Sequence, residues 1–285
     1  MSRFVYVNDR FLRRHEAFID IEDRGFQFGD SVYEVIFVTK GCLVDEQGHI
    51  DRLAYSMGEL GMDLPKSPVT ISLLIRELIR LNDLTDGLIY MQVSRGAASR
   101  DHLIPKGLSQ TFIMNTRQVD LTAKSSINEG VDVITVRDIR WGRRDIKSTQ
   151  LLANCLAKSE AVRAGADEAW MVDENNFVTE GSSSNAWIIT DDQVLVTRPP
   201  THDILNGITR RTIIDIALQN NVMFEERAFS LDETKIAAEA FFTSATSLAT
   251  PVLSINGIAI GDGVVGPITK VLQDQYLVYA QQTSL

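Results

Sequence analysis

From residue 3 to residue 19, short apolar runs alternate with polar positions around Asn8-Asp9, a pair suited to a tight turn, so the chain opens as a β-hairpin. Gly25 and Gly29 punctuate an irregular segment within EDRGFQFGD. A strand from Val32 to Val38 follows, with Tyr33 and Val35 on one face and Glu34 on the other. Between His49 and Leu60 the period becomes helical, and Ile50, Leu53, Ala54, Met57 and Leu60 share a side. A second stripe, Ile71, Leu74, Ile75, Leu78 and Ile79, predicts a packing helix over 69–82. Asp86-Gly87 turns into the strand GLIYMQVSRG, the loop RGAASRDHLIP follows, and TFIMNTRQV is another strand. Residues 121–128 are polar and read as a linker between a smaller domain, 1–120, and a larger one, 129–285. The larger domain opens with the alternating strand VDVITVRDI and continues into an amphipathic helix around LLANCLAK. A hairpin turning at Asn175-Asn176 presents Glu180, and a strand from Ala186 to Thr190 comes next. Helices in ILNGITRRTIIDIAL and GPITKVLQDQYLVYAQQ complete a mixed α/β (α+β) pattern without internal repeats.

Composition narrows the function. A chain of 285 residues, 44% hydrophobic, buries a substantial core. Its net charge of −10, with 28 basic against 38 acidic residues and no basic block, argues against nucleic acid or an anionic membrane as partner. An anionic substrate would need a local positive pocket. Cys42 and Cys155 do not form a disulfide framework, and Cys155 reads as a small core residue of its helix. MSRFVYVNDRFLRR lacks a signal peptide's apolar core, and no run approaches the roughly 18 apolar residues of a membrane span, so a soluble cytoplasmic protein is expected.

The candidate chemistry centres on Arg140–Trp187. Lys147 stands where a strand passes into a helix, on a fixed backbone near apolar neighbours, which is how an amine loses its proton and becomes a nucleophile toward carbonyls. Glu180 heads a Gly-Ser-Ser-Ser loop and could keep a pyridine nitrogen protonated. Taken alone, a lysine in a globular protein is nearly always a solvated side chain. Arg100 and His102 can fork a carboxylate, or can be ordinary residues of a solvated loop. At the Asn206-Gly207 helix entrance the N–H groups of Ile208 and Thr209 point at an anion or at a bare cap. Arg52, read in the first turn of its helix, opposes the dipole there and invites either a phosphate or a surface ion pair. Tyr33 on pattern alone is a core aromatic.

DIKSTQLLANCLAK, followed by VTEGSSSNAW, resembles the fold-type IV pyridoxal-phosphate aminotransferases, and the resemblance spans nearly the whole chain. That family includes D-amino-acid and branched-chain aminotransferases and aminodeoxychorismate lyase. The resemblance implies that Lys147 carries pyridoxal 5'-phosphate as a Schiff base, with the cofactor between a small N-terminal α+β domain and a barrel-like C-terminal one, and that Glu180 pairs with its ring nitrogen. It further implies that Arg52, Ile208 and Thr209 hold the phosphate, that Leu205 lies against the ring's back face, and that Ser183 of the serine loop also binds the cofactor. Ala245 stands where the family usually offers a threonine hydroxyl to the phosphate, a departure that Ser244 or Thr246 could make good. Tyr33, Arg100 and His102 match the D-amino-acid enzymes' anchor for the substrate carboxylate. The implied reaction is ping-pong transamination between a D-amino acid and a 2-oxo acid, with no metal, in a homodimer whose Arg100 loop reaches the neighbouring subunit's site. The alternatives are an (R)-amine or branched-chain transaminase, a lyase of the same fold, or a binding protein whose lysine motif has lost activity.

Overall fold

The computed structural model describes residues 2–282. They divide into two units: the first takes 2–120, 146–150 and 281–282, and the second takes 121–145 and 151–280. The short segment carrying Lys147 therefore belongs with the N-terminal half of the chain.

In the first unit, β1 (Phe4–Val7) and β2 (Arg10–Arg13) form the expected hairpin, with Asn8 and Asp9 at φ 43° and 71° in the turn. Gly25 and Gly29 do not bound an irregular stretch. They lie in and just after a short helix, α1 (Arg24–Phe28), which Asp23 caps through the Gly25 N–H at 2.8 Å and left-handed Gly29 ends. Then come β3 (Ser31–Thr39), β4 (Cys42–Leu43), α2 (Glu46–Glu59), α3 (Pro68–Leu81), β5 (Gly87–Ser94) and β6 (Thr111–Gln118). The strands make one antiparallel sheet in the order β2-β1-β6-β5-β3-β4. The apolar stripes read from the helices are the buried ones: Ile50, Leu53 and Met57 from α2, and Ile71, Ile75 and Leu78 from α3. Ser67 caps α3 by accepting the Thr70 N–H, with Pro68 at the first helical position.

In the second unit, residues 121–128 are not a free linker, because Leu121 and Ile127 are buried and α4 (Ser125–Glu129) begins there. The elements that follow are β7 (Val131–Arg137), α5 (Leu152–Arg163), β8 (Glu168–Val172), β9 (Val178–Gly181), β10 (Asn185–Ile189), β11 (Leu195–Thr197), α6 (Ile208–Gln219), β12 (Phe224–Glu226), α7 (Leu231–Lys235), β13 (Glu239–Ser244), β14 (Leu248–Ile255), β15 (Ile258–Ala259) and α8 (Pro267–Gln282). The strands order as β12-β11-β10-β13-β14-β7-β8-β9, with β15 on β14. Terminal strand β9 returns to β10 through a tight loop closed by Gly181 N–H to Ser184 C=O at 2.7 Å, so the sheet curls toward a barrel. Trp170, Val178, Ile188, Phe229 and Phe242 fill its interior. Helix α5 is not amphipathic as expected. It buries Ala157 and Ala161 against Ala169 and Met171, while Leu152, Leu156, Val162 and Cys155 face outward. No helix among the described residues is long and apolar enough to cross a membrane.

Candidate active site

The first unit fixes Lys147 by its backbone. Tyr33 N–H donates to Lys147 C=O at 3.0 Å, Lys147 N–H donates to Ser56 Oγ at 3.1 Å, and Thr149 N–H donates to Ser31 C=O at 3.0 Å. Ser148 also bridges to Val32. Lys147 therefore lies in an irregular segment stitched to β3 and α2, not at a strand end. Its Nζ sits 4.2 Å from the centre of the Tyr33 ring, and no carboxylate among the described residues lies within ion-pairing distance. An amine over an aromatic face with no counter-ion is available for chemistry. Tyr33 stacks on Tyr90 at 5.7 Å; burial, with some help from Tyr33, pushes the Tyr90 phenol up to about 12 and keeps it neutral.

Alternation in β3 turns Glu34 away from Tyr33 into the interior, where it is fully buried. There Arg52 grips it with Nε at 2.7 Å and Nη2 at 2.8 Å, and His49 Nδ1 lies 2.7 Å away. Burial raises the Glu34 carboxyl, but Arg52 and His49 outweigh it and hold Glu34 well below the ordinary carboxylate range. The expectation for Arg52 needs correction. Helix α2 begins at Glu46, so Arg52 lies in the second turn, and its partner is a buried glutamate instead of a surface charge.

Arg100 and His102 lie on the exposed loop after β5, and one aromatic ring joins them. The Arg100 guanidinium carbon is 5.2 Å and the His102 ring 5.6 Å from the centre of Phe28. Arg95 is committed elsewhere, to Asp30 at 2.8 Å and to Leu60 C=O at 2.7 Å.

The second unit surrounds Glu180 with donors. Its Oε1 accepts from Arg140 Nη1, and its Oε2 accepts from Asn185 Nδ2 at 3.0 Å and Leu205 N–H at 3.1 Å. Arg140 also forks Asp138 at 2.7 and 3.0 Å, and Thr179 donates to Asp138 at 2.8 Å. Burial pushes the Glu180 carboxyl upward, against the pull of Arg140 and the Leu205 N–H.

Ile208 and Thr209 form the buried first turn of α6, and Gly207 ahead of them supplies no side-chain cap. Their N–H groups are the donors a helix leaves without internal acceptors. A Cβ on Gly207 would come within 2.1 Å of Asn185 Oδ1, so a larger residue there would have to displace the Asn185 side chain. Ser183 is exposed, while Ser182 and Ser184 beside it bind Glu168. Ala245 occupies the β13–β14 turn. Ser244 Oγ accepts the N–H groups of Thr246 and Ser247 at 3.2 and 3.1 Å and lies 3.1 and 2.7 Å from the Thr246 and Ser247 hydroxyls, so its hydroxyl belongs to a local network in that turn.

Of the residues that hold these groups, Asn185, Glu34, His49 and Phe28 carried no signal in the sequence. The legible hint was a charged pair, Asp138 and Arg140, at the exit of an alternating strand, where a sheet commonly places reacting groups.

The chain matches the amino-transferase class IV family model over residues 31–255 and belongs to that family. It is 42% identical over 269 residues to the D-alanine aminotransferase of Bacillus licheniformis, covering 94% of each chain. A crystal structure of the Escherichia coli branched-chain amino acid aminotransferase superposes with a TM-score of 0.92 at 25% identity, over 100% of this chain and 97% of that one. The branched-chain aminotransferase of the archaeon Thermoproteus uzoniensis, solved with norvaline, gives 0.90 at 27% identity, over 99% and 96%. The fold is thus that of the fold-type IV aminotransferases.

Proposed function

We propose that this chain is a pyridoxal-phosphate-dependent transaminase exchanging an amino group between a D-amino acid and a 2-oxo acid. The observation that carries the reading is Lys147, an amine anchored at its backbone, facing an aromatic ring and paired with no carboxylate among the described residues. The donor sets fit the cofactor. A buried, uncapped helix start at Ile208 and Thr209 suits a phosphate, with the Ala245 N–H and Arg52 as further donors, and the buried carboxylate of Glu180 suits a protonated ring nitrogen. Leu205, whose N–H fixes Glu180, would support the ring's face, and Ser183 keeps an exposed hydroxyl for the cofactor. When bound, pyridoxal phosphate supplies an aldehyde that takes the amino group and a ring that draws electrons from the substrate's α-carbon.

Lys147 Nζ takes the α-hydrogen and returns a proton, acting as general base and then as general acid. Glu180 holds a proton at the ring nitrogen. Arg100 and His102, with Tyr33, bind the substrate carboxylate and so determine which enantiomer aims its α-hydrogen at Lys147. The D-alanine aminotransferases among the relatives support this hand of substrate. The working unit is a homodimer, for which the exposed Phe18, Ile21, Phe26 and Leu103 offer apolar surface. Cys42 and Cys155, neither of them in a disulfide, suit the reducing cytoplasm.

The test is a rate panel of D- and L-alanine, D- and L-glutamate, L-leucine and L-valine, with pyruvate and 2-oxoglutarate as acceptors. D-alanine or D-glutamate should outrun its L-enantiomer. Preference for L-leucine or L-valine over every D-amino acid would overturn the reading.

A further inference from the structure

Helix α1 ends on Phe28, and that ring lies beside three cationic or polar heads. The guanidinium carbons of Arg24 and Arg100 are 4.7 and 5.2 Å from its centre, and the His102 ring is 5.6 Å away at an interplanar angle of 58°. The short helix that carries the ring is held at both ends. Asp23, buried under α1, accepts from Gly25 N–H at 2.8 Å and from the hydroxyls of Ser94 and Thr111 at 2.7 Å each. Gly29 closes the helix in the left-handed region at φ 66°, with the Gln150 side chain packed against it.

The loop is tied to the same helix. Arg24 N–H donates to Gly96 C=O at 2.9 Å, Ala98 N–H to Glu22 C=O at 3.3 Å, and Arg24 Nη1 to Asp101 C=O at 2.8 Å. That last carbonyl belongs to the residue between Arg100 and His102. The two guanidinium groups differ in one respect: Arg24 pairs with Asp30 at 2.8 Å, whereas Arg100 has no carboxylate or hydrogen-bond partner among the described residues. An arginine left without an anion on a chain of net charge −10, yet held over a ring face, is poised for an anionic ligand.

We infer that Phe28 is the positioning residue of the carboxylate anchor: its π face holds Arg100 and His102 in one orientation before the amino acid arrives. The inference rests on the proposed role of Arg100 and deepens it. Pre-orienting a guanidinium removes ordering cost from binding, so loss of the ring should appear in substrate affinity first.

The test uses the holoenzyme and steady-state kinetics with D-alanine. Phe28→Leu keeps an apolar side chain but removes the π face, and should raise KM about three- to thirtyfold, with kcat changing less. Phe28→Tyr, which restores a ring face, should return KM to near the parent value. In the Arg100→Ala background Phe28→Leu should add almost nothing, since the group it orients is gone. Melting temperature and cofactor affinity should stay at parent values in all of these proteins. If Arg100→Ala raises KM but Phe28→Leu leaves it unchanged, this inference falls while the anchor stands. Fully additive effects, or a Phe28→Tyr protein as impaired as Phe28→Leu, would likewise overturn it. If Arg100→Ala leaves KM untouched, the carboxylate reading fails as well.

Discussion

Replacing Arg140 by methionine isolates the electrostatics around Glu180. The Arg140 side chain is 7% exposed, Glu180 6% and Asp138 1%, so solvent offers little screening to either carboxylate once the guanidinium is gone. Methionine preserves most of the volume, which leaves charge as the main change. Removing one partner of a buried ion pair costs about 3–5 kcal/mol, because the remaining charge stays uncompensated. Asp138 keeps Thr179 at 2.8 Å and Arg144 at 3.4 Å, and Glu180 keeps Asn185 and the Leu205 N–H, which favours the lower end of that range. The cost should depend on pH in a defined direction. Burial already raises the Glu180 carboxyl, and losing Arg140 removes the strongest opposing pull, so its folded value climbs further. A raised carboxyl contributes no penalty below its unfolded value of about 4.3, and lowers stability as pH rises through the folded one. For Asp138, whose carboxyl burial raises but Arg140 and Thr179 hold low, part of a stabilisation present above about 3.9 disappears. Both changes have the same sign: the Asp138 share of the deficit is already present above about pH 4, and the Glu180 share adds to it as pH rises, so the deficit should grow from pH 4.5 to neutral pH. Trp141, Trp170 and Trp187 all lie in the unit that holds Arg140, so tryptophan emission during urea unfolding of the apoprotein reports directly on it. A deficit below about 1 kcal/mol at pH 7.5, or one that is flat from pH 4.5 to 7.5, would refute the argument.

Lys147→Ala should lower transamination by about a thousandfold or more while leaving the melting temperature unchanged, since its Nζ bonds to no group among the described residues; near-native turnover would remove Lys147 from the chemistry. Gly207→Ala would place a methyl group 2.1 Å from Asn185 Oδ1 and push that side chain off Glu180, costing about 1–3 kcal/mol of stability and weakening cofactor affinity. An unaltered dissociation constant for the cofactor would show that the loop gives way freely. Mixing Arg100→Ala with Lys147→Ala protein should restore activity in hybrid dimers, where one site inherits both parental residues; verified subunit exchange without recovery would count against a shared site.

What the sequence revealed, and what it hid, divides by the range of the interactions. Helices α2 and α3 were legible because burial of Ile50, Leu53, Met57, Ile71 and Ile75 repeats at the helical period. The start of α2 is harder to read: Asp45 is an N-cap residue type but enters at φ 56° without a capping bond, and the apolar period begins only at Ile50, so the pattern sets Arg52 a turn too early. Helix α5 misled in the opposite way. Its large apolar residues, Leu152, Leu156 and Val162, face outward, and its buried contacts come from Ala157 and Ala161, whose small side chains carry little weight in a hydrophobic pattern. The candidate site follows the same rule. Lys147 and Glu180 announce themselves through the motifs around them, whereas the groups that orient the site are brought together by sheet closure and loop return. Arg140 reaches Glu180 across 40 positions and Arg24 reaches Asp101 across 77. Such partners have no fixed spacing, so a single sequence shows the residues that sit inside a motif before it shows the distant ones that hold them.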